Sequence, residues 1–162
     1  MEKETIEESQ ELKEEGAAPT TQASPFVHEE IEHVREGKHG ARSTKQAIAI
    51  GLSKARRAGV KLPTPPRGRV SEQTRASAAS ATRRAGRKPN PRRGRAVRAA
   101  LKREGRAAAS PQALSRQARA ASRARGPRAR SASARKAVRT KGAAGRSAAA
   151  GKAARTRKRR GS

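Results

Sequence analysis

Arginine is the residue type on which any chemistry of this chain must rest. The 162 residues include 29 arginines against 12 lysines. A planar guanidinium donates two parallel hydrogen bonds to one phosphate and keeps its charge near neutral pH, so an arginine-dominated chain suits dense phosphate contact. The basic side chains come in pairs and clusters: Arg83-Arg84, Arg87-Lys88, Arg92-Arg93, Arg95, Arg98, Lys102-Arg103, Arg116, Arg119, Arg123 and Arg125. Further along stand Arg135-Lys136, Arg155, and Arg157-Lys158-Arg159-Arg160. These are the expected phosphate contacts. With no Trp, no Tyr and one Phe there is no aromatic platform for stacking bases, so the chain is expected to bind without reading sequence.

Other chemistry finds little support. The three histidines are His28, His33 and His39, and His28 stands four residues before Glu32 as a metal pair on a helix would. Without a cysteine or a second properly spaced histidine, this pair reads as a solvated helix face. The loop GKHGARST, residues 37–44, lacks the G-x-x-x-x-G-K-[ST] spacing of a phosphate cradle, and no strand precedes it. No pocket is foreseen to shift a glutamate pKa. The expectation is no enzyme, no cofactor, no metal and no small-molecule substrate.

The elements that must position these residues are constrained by composition. Of the residues counted as hydrophobic, 35 are alanine, and Leu, Ile, Val and Phe together number 16. With a net charge of +28, such a chain cannot bury enough apolar area to offset the entropy of ordering a single large core. Charge is distributed unevenly. Residues 1–36 hold eleven glutamates against Lys3, Lys13 and Arg35, a net of −8, whereas residues 37–162 carry +36, the signature of a polyanion partner. The acidic opening MEKETIEESQELKEEG is unlike a secretory signal, and no apolar run approaches the roughly 18 residues of a membrane span. A cytoplasmic, nucleoid-associated protein without membrane contact is therefore expected.

The sequence divides into an acidic disordered tail at 1–23, a helical hairpin at 24–62, a proline-rich linker at 63–69, and a basic low-complexity tail at 70–162 that is helix-prone at 92–126. In the hairpin, Ser24-Pro25 reads as a helix start, and Phe26, Val27, Ile31 and Val34 form an apolar stripe that Gly37 ends. Ser43 and Gln46 form a capping box for a second helix, whose apolar positions are Ile48, Leu52 and Ala55 and whose stop is Gly59. Val60 and Leu62 complete the expected core. So small a hairpin should be marginal alone and need a partner helix, self-association or nucleic acid. The fold class expected is a mostly disordered chain with a small all-α part: a short helix-loop-helix hairpin, then an Arg/Ala-rich tail whose helices form once phosphate relieves arginine repulsion.

Two segments echo one another. Arg35-Glu36-Gly37, a basic loop and Ser43 before Gln46-Ala47-Ile48 are matched by Arg103-Glu104-Gly105, a loop and Ser110 before Gln112-Ala113-Leu114. If this is a degenerate repeat, it predicts two helical units of one kind.

The stretch RSTKQAIAIGLSKARRAG, residues 42–59, resembles the K-[ST]-x-x-Q-A-I-A-I-x-L-S-x-A-R-x-A-G signature of a family of small basic bacterial proteins of unknown function. The preceding FVHEEIEHVREGKHGARS fits the same domain. That resemblance implies a bacterial origin and a compact helical hairpin, and carries no activity with it. The basic tail is similar in composition alone to linker-histone-like and protamine-like proteins. Together these features predict sequence-nonspecific DNA binding, histone-like coating and bridging of duplexes through arginine–phosphate contacts. The alternatives are an RNA or ribosome-associated protein, and a protein-docking hairpin tethered to nucleic acid.

Overall fold

The structure, a computed structural model, describes residues 2–87 and 90–160. Helices follow one another along that whole length, which corrects the expectation of a mostly disordered chain. They are α1 (Lys3–Glu14), α2 (Pro19–Gln22), α3 (Ser24–Arg35), α4 (Thr44–Arg57), α5 (Glu72–Arg83) and α6 (Pro91–Lys102). A short 3-10 turn (Ala107–Ala109), α7 (Pro111–Ala124) and α8 (Gly126–Arg160) complete the order.

Magnitudes explain why the basic half is helical. Alanine and arginine are both strong helix formers. A like-charge pair one turn apart costs only about 0.2–0.5 kcal/mol, whereas a good N-cap contributes about 1 kcal/mol. The caps are in place: Ser71 Oγ accepts from Thr74 N at 3.2 Å, Asn90 Oδ1 from Arg93 N at 3.1 Å, and Ser110 Oγ from Ala113 N at 3.2 Å.

The chain forms two compact units, Met1–Gln117 and Ala118–Ser162. In the first, α3 and α4 make the expected hairpin, and they approach so closely at Gly51 that a Cβ there would lie 2.7 Å from Val27 Cα. Phe26 is fully buried in a cluster with Ala23, Ala55, Val60 and Leu62, against which Ile6 and Leu52 pack. A second cluster joins Ile31, Val34, Ala41 and Ala47 to Ala108 and Ala109, with Leu114 beside them.

Both faces of the hairpin are thus covered by the chain itself. Helix α1 lies along α3, with Thr5 and Ser9 buried and Ser9 Oγ donating to the Gln22 carbonyl oxygen at 2.8 Å. The acidic segment is a docked helix, not a disordered tail, although Glu4, Glu7, Glu8 and Glu11 stay exposed. The basic segment enters the core through Ala108 and Ala109, and α5 rests on α4 through buried Ala78 and Ala81. Even the proline-rich stretch is held, since Arg56 Nη2 donates to the Pro63 carbonyl oxygen and Arg75 Nε to that of Pro65, each at 3.0 Å. Ser24 departs from its expected role: its hydroxyl donates to the Thr21 carbonyl oxygen at 2.7 Å, because α2 precedes α3 without a break that needs a cap.

The second unit consists of the end of α7 and α8, whose helical course is interrupted at Gly142 by a φ of 62° and a ψ of −176°. Its contacts include Arg130 Nη1 to the Ser122 carbonyl oxygen at 3.5 Å and Ser133 Oγ to that of Ala129 at 2.9 Å. Val138 is exposed there.

Candidate nucleic-acid interface

The backbone brings four arginines to one cleft. Helix α5 ends at Arg83, and the chain turns through Gly86, whose φ of 71° suits a residue without a Cβ. The Gly86 N–H donates to the Arg57 carbonyl oxygen at 2.9 Å, fastening this turn to the C-terminal end of α4. Arg84 and Arg87 therefore stand beside Arg57, and Arg93 from the first turn of α6 closes the other side of a cavity of about 440 Å³. Asn90, Gly94 and Val97 complete its wall, so the partly positive N-terminus of α6 borders it as well. The arginines are all exposed, which leaves their guanidinium groups available for an anion.

Helix α6 carries a second basic row on the face turned away from the cleft. Arg92, Arg95, Arg98 and Lys102 recur at three or four residues and share one face, while Val97 and Leu101 lie on the opposite one. Arg103 adds to the basic face just beyond the helix end. Of the other expected phosphate contacts, Arg83 is exposed at the end of α5 and Arg116 on α7 within the first unit. In the second unit Arg119 and Arg123 stand one turn apart, and Arg125, Arg135, Lys136 and Arg155 are exposed. Lys88 lies outside the described residues, as do the side chains of Arg157, Lys158, Arg159 and Arg160. Arg57 was not among the expected phosphate contacts; only the folding back of α5 brings it beside Arg84 and Arg87.

A different cluster lies between α3, α4 and the loop joining them. Glu29 and Glu30 are both buried, and Lys54 Nζ bridges them, 2.7 Å from Glu29 Oε1 and 2.8 Å from Glu30 Oε2. Burial alone would raise the Glu29 pKa. Hydrogen bonds from Lys54, the Glu2 backbone N–H and Thr5, together with the Lys54 charge, outweigh it and hold Glu29 at about 2. Lys54 is pulled the other way by burial, yet its bonds to the two carboxylates leave it above its ordinary value. At the rim, Glu2 Oε1 meets His33 Nε2 at 3.0 Å and Lys38 Nζ at 3.2 Å, which lowers the Glu2 pKa, while Glu36 and Glu2 raise that of Lys38.

Histidine placement differs from the expected pairing. His28 and Glu32 lie 3.9 Å apart on an exposed face, a solvated surface pair as their spacing suggested. His33 and His39 instead gather with Glu30, their potential ligand atoms within 4.8 Å of one another. The Glu30-x-x-His33 spacing, which puts both on one face of α3, was a signal in the sequence; the arrival of His39 from the loop was not.

Among the described residues no helix is long and apolar enough to cross a membrane. No curated protein and no solved structure matches the chain, so nothing beyond composition links the basic part to linker-histone-like or protamine-like proteins or supports nucleoid association. Residues 28–66, which run from α3 through α4 into the proline-rich stretch, match a family of unknown function (DUF6496).

Proposed function

We propose that this protein binds duplex nucleic acid without regard to sequence, DNA in the first place, through arginine contacts to phosphate. The observation that carries the reading is the convergence of Arg57, Arg84, Arg87 and Arg93 on one cleft, while the opposite face of α6 carries a second basic row from Arg92 to Lys102. Ten residues of α-helix span about 15 Å. Duplex DNA carries one charge per roughly 1.7 Å of axis, so that length runs past roughly nine phosphates. The cleft offers one phosphate several guanidinium groups, and the opposite face of α6 offers a row that can follow a backbone of its own. With the arginines assigned to phosphate, affinity is expected to depend on charge density and length, and two basic units suit coating and bridging.

Structured RNA offers the same phosphates and is the main rival. The reading that the hairpin docks a protein has to contend with α1 and residues 107–114, which already cover the hairpin's apolar faces. Competition at equal phosphate between a random duplex DNA and ribosomal RNA tests the proposal. Duplex DNA displaces labelled duplex at the lower concentration if the reading is right; more effective displacement by the RNA overturns it in favour of an RNA partner.

A further inference from the structure

We infer that Glu30, His33 and His39 form a binding site for a divalent transition metal, with zinc the best fit. The inference is independent of the nucleic-acid reading and uses none of its residues.

Hydrogen bonding assigns the ring nitrogens. His39 Nδ1 lies 3.0 Å from the Gly40 carbonyl oxygen, which can only accept, so Nδ1 carries a proton, and in the neutral ring that binds a metal Nε2 keeps its lone pair. That Nε2 faces Glu30 Oε1 at 3.4 Å. Two acceptors then stand opposite each other in a buried place, an arrangement that calls for a cation between them. His33 Nε2 lies 3.0 Å from the Glu2 carboxylate, so Nε2 donates and Nδ1, which stands 3.8 Å from Glu29 Oε1, is the nitrogen that can serve as ligand. A metal-bound histidine usually gives its second N–H to a carbonyl or a carboxylate, and here one of each is present.

The carboxylate fits the same role. Glu30 is fully buried, and its Oε1 has no hydrogen-bond partner among the described residues. Oε2 has the Lys54 ammonium 2.8 Å away as an ion pair, which leaves Oε1 as the one turned to His39. A proton shared between Oε1 and Nε2 would draw them to about 2.7–2.9 Å. Tetrahedral zinc with bonds near 2.0–2.1 Å to nitrogen and oxygen holds its ligands about 3.3–3.4 Å apart, which is the separation of Glu30 Oε1 and His39 Nε2; His33, within 4.8 Å of both, would close the third edge by a small movement of its side chain. Three protein ligands leave a fourth position for water. Lys54 does not compete, because it sits on the other oxygen and neutralises the second charge supplied by Glu29.

Such an ion would have a structural consequence. It would pin the loop from which Gly40 and Ala41 hold Leu101 and Gly105, and so the attachment of α6.

The test is titration of the full-length protein with Zn²⁺ and, as a spectroscopic stand-in, Co²⁺. The site predicts saturation at one equivalent and a visible Co²⁺ absorption band of tetrahedral type. Changes in groups that only support a metal ligand cost 10–100-fold in affinity, so removal of a ligand in His39→Ala or Glu30→Gln should weaken Zn²⁺ binding by at least about 100-fold. His28→Ala should bind as the wild type does. Because Glu30→Gln alters a buried ion pair, the wild-type protein supplies a second readout: Zn²⁺ should shift the imidazole proton resonances of His33 and His39 and leave those of His28 in place. Wild-type binding that does not saturate, His39→Ala binding as tightly as the wild type, or equal shifts at all three histidines would overturn the assignment, pointing to the exposed glutamates of α1.

Discussion

The Gly40 backbone N–H donates to the Leu101 carbonyl oxygen at 2.9 Å, across 61 residues of chain, and this bond marks where the basic segment joins the hairpin. Its neighbour Ala41 donates to Gly105 at 3.0 Å, Thr44 Oγ1 to Ala108 at 2.6 Å, and Arg35 Nε to Ala109 at 3.1 Å, in each case to the carbonyl oxygen. The two Arg-Glu-Gly segments that echo one another in the sequence are therefore parts of one contact. Gly37 lies against the Arg106 side chain, and each echo is followed by a serine that caps the next helix.

This contact leaves no room at Gly40. An added Cβ would overlap the Glu104 carbonyl group, which is backbone and cannot swing aside. Gly40→Ala should cost about 1–3 kcal/mol, as overpacking does. Gly105→Ala, where a Cβ would meet nothing within 4 Å, should stay within about 0.5 kcal/mol of the wild type. Urea denaturation of both variants measures the difference, and equal midpoints would mean that residues 101–109 are not docked.

Packing of α3 on α4 makes a second pair of predictions. Phe26→Ala, at a position with 0% exposure, should cost about 3–5 kcal/mol. Gly51→Ala would place its Cβ 2.9 Å from the Phe26 carbonyl oxygen and should cost about 1–3 kcal/mol. Val97→Ala, at 51% exposure, should be nearly silent. Thermal unfolding of the three variants ranks them, and a silent Phe26→Ala would contradict the core described.

What could be read from the sequence follows these same contacts. The Ser43 cap, the helix stops at Gly37 and Gly59, and the apolar stripe of α3 were legible because side-chain type and spacing fix them locally. The Gln46 side chain, however, accepts from Arg42 N at 2.7 Å instead of closing the box on Ser43. Val27, Ile48 and Leu52 were expected in the core but are only partly covered, and alanines take the most buried places. Ala55 stood out by its place on the α4 stripe, but in a chain with 35 alanines nothing local separates Ala47, Ala108 and Ala109 from those that face water. Burial of Glu29 and Glu30 was hidden for another reason: it depends on Lys54, which only the turn of the hairpin brings to them.

Acid should loosen the first unit in a definite window. The Glu29 pKa is about 2 in the folded chain, below its ordinary value of 4.5. A depressed carboxylate contributes stability that is fully present above the unfolded value and is lost as pH falls through the folded one. Glu29 should therefore cost stability between about pH 4.5 and pH 2. The urea midpoint followed from pH 6 to pH 2 should decline more steeply in the wild type than in Glu29→Gln; parallel curves would show that Glu29 is not paired in solution. Because Glu2 N donates to Glu29 Oε2 at 3.1 Å, the same variant should loosen α1 from α3.

The acidic helix should restrain binding through its charge. Glu4, Glu7, Glu8 and Glu11 are exposed, so changing them to Gln removes charge without opening the core. Duplex affinity should rise at low salt, and the gain should fade as the Debye length falls from about 10 Å at 0.1 M toward about 3 Å at 1 M. Unchanged affinity at low salt would leave α1 with a packing role alone.

The dependence of duplex affinity on salt tests the central claim most directly. If roughly 10 phosphates are neutralised, log K should fall against log salt with a slope near −9, alike for random and designed duplexes of equal length. Replacing Arg57 or Arg84 by Ala should make the slope shallower by about one for each phosphate that is no longer neutralised. A shallow slope with strong preference for one sequence would contradict the account, since it would require base readout that the exposed arginine faces do not provide.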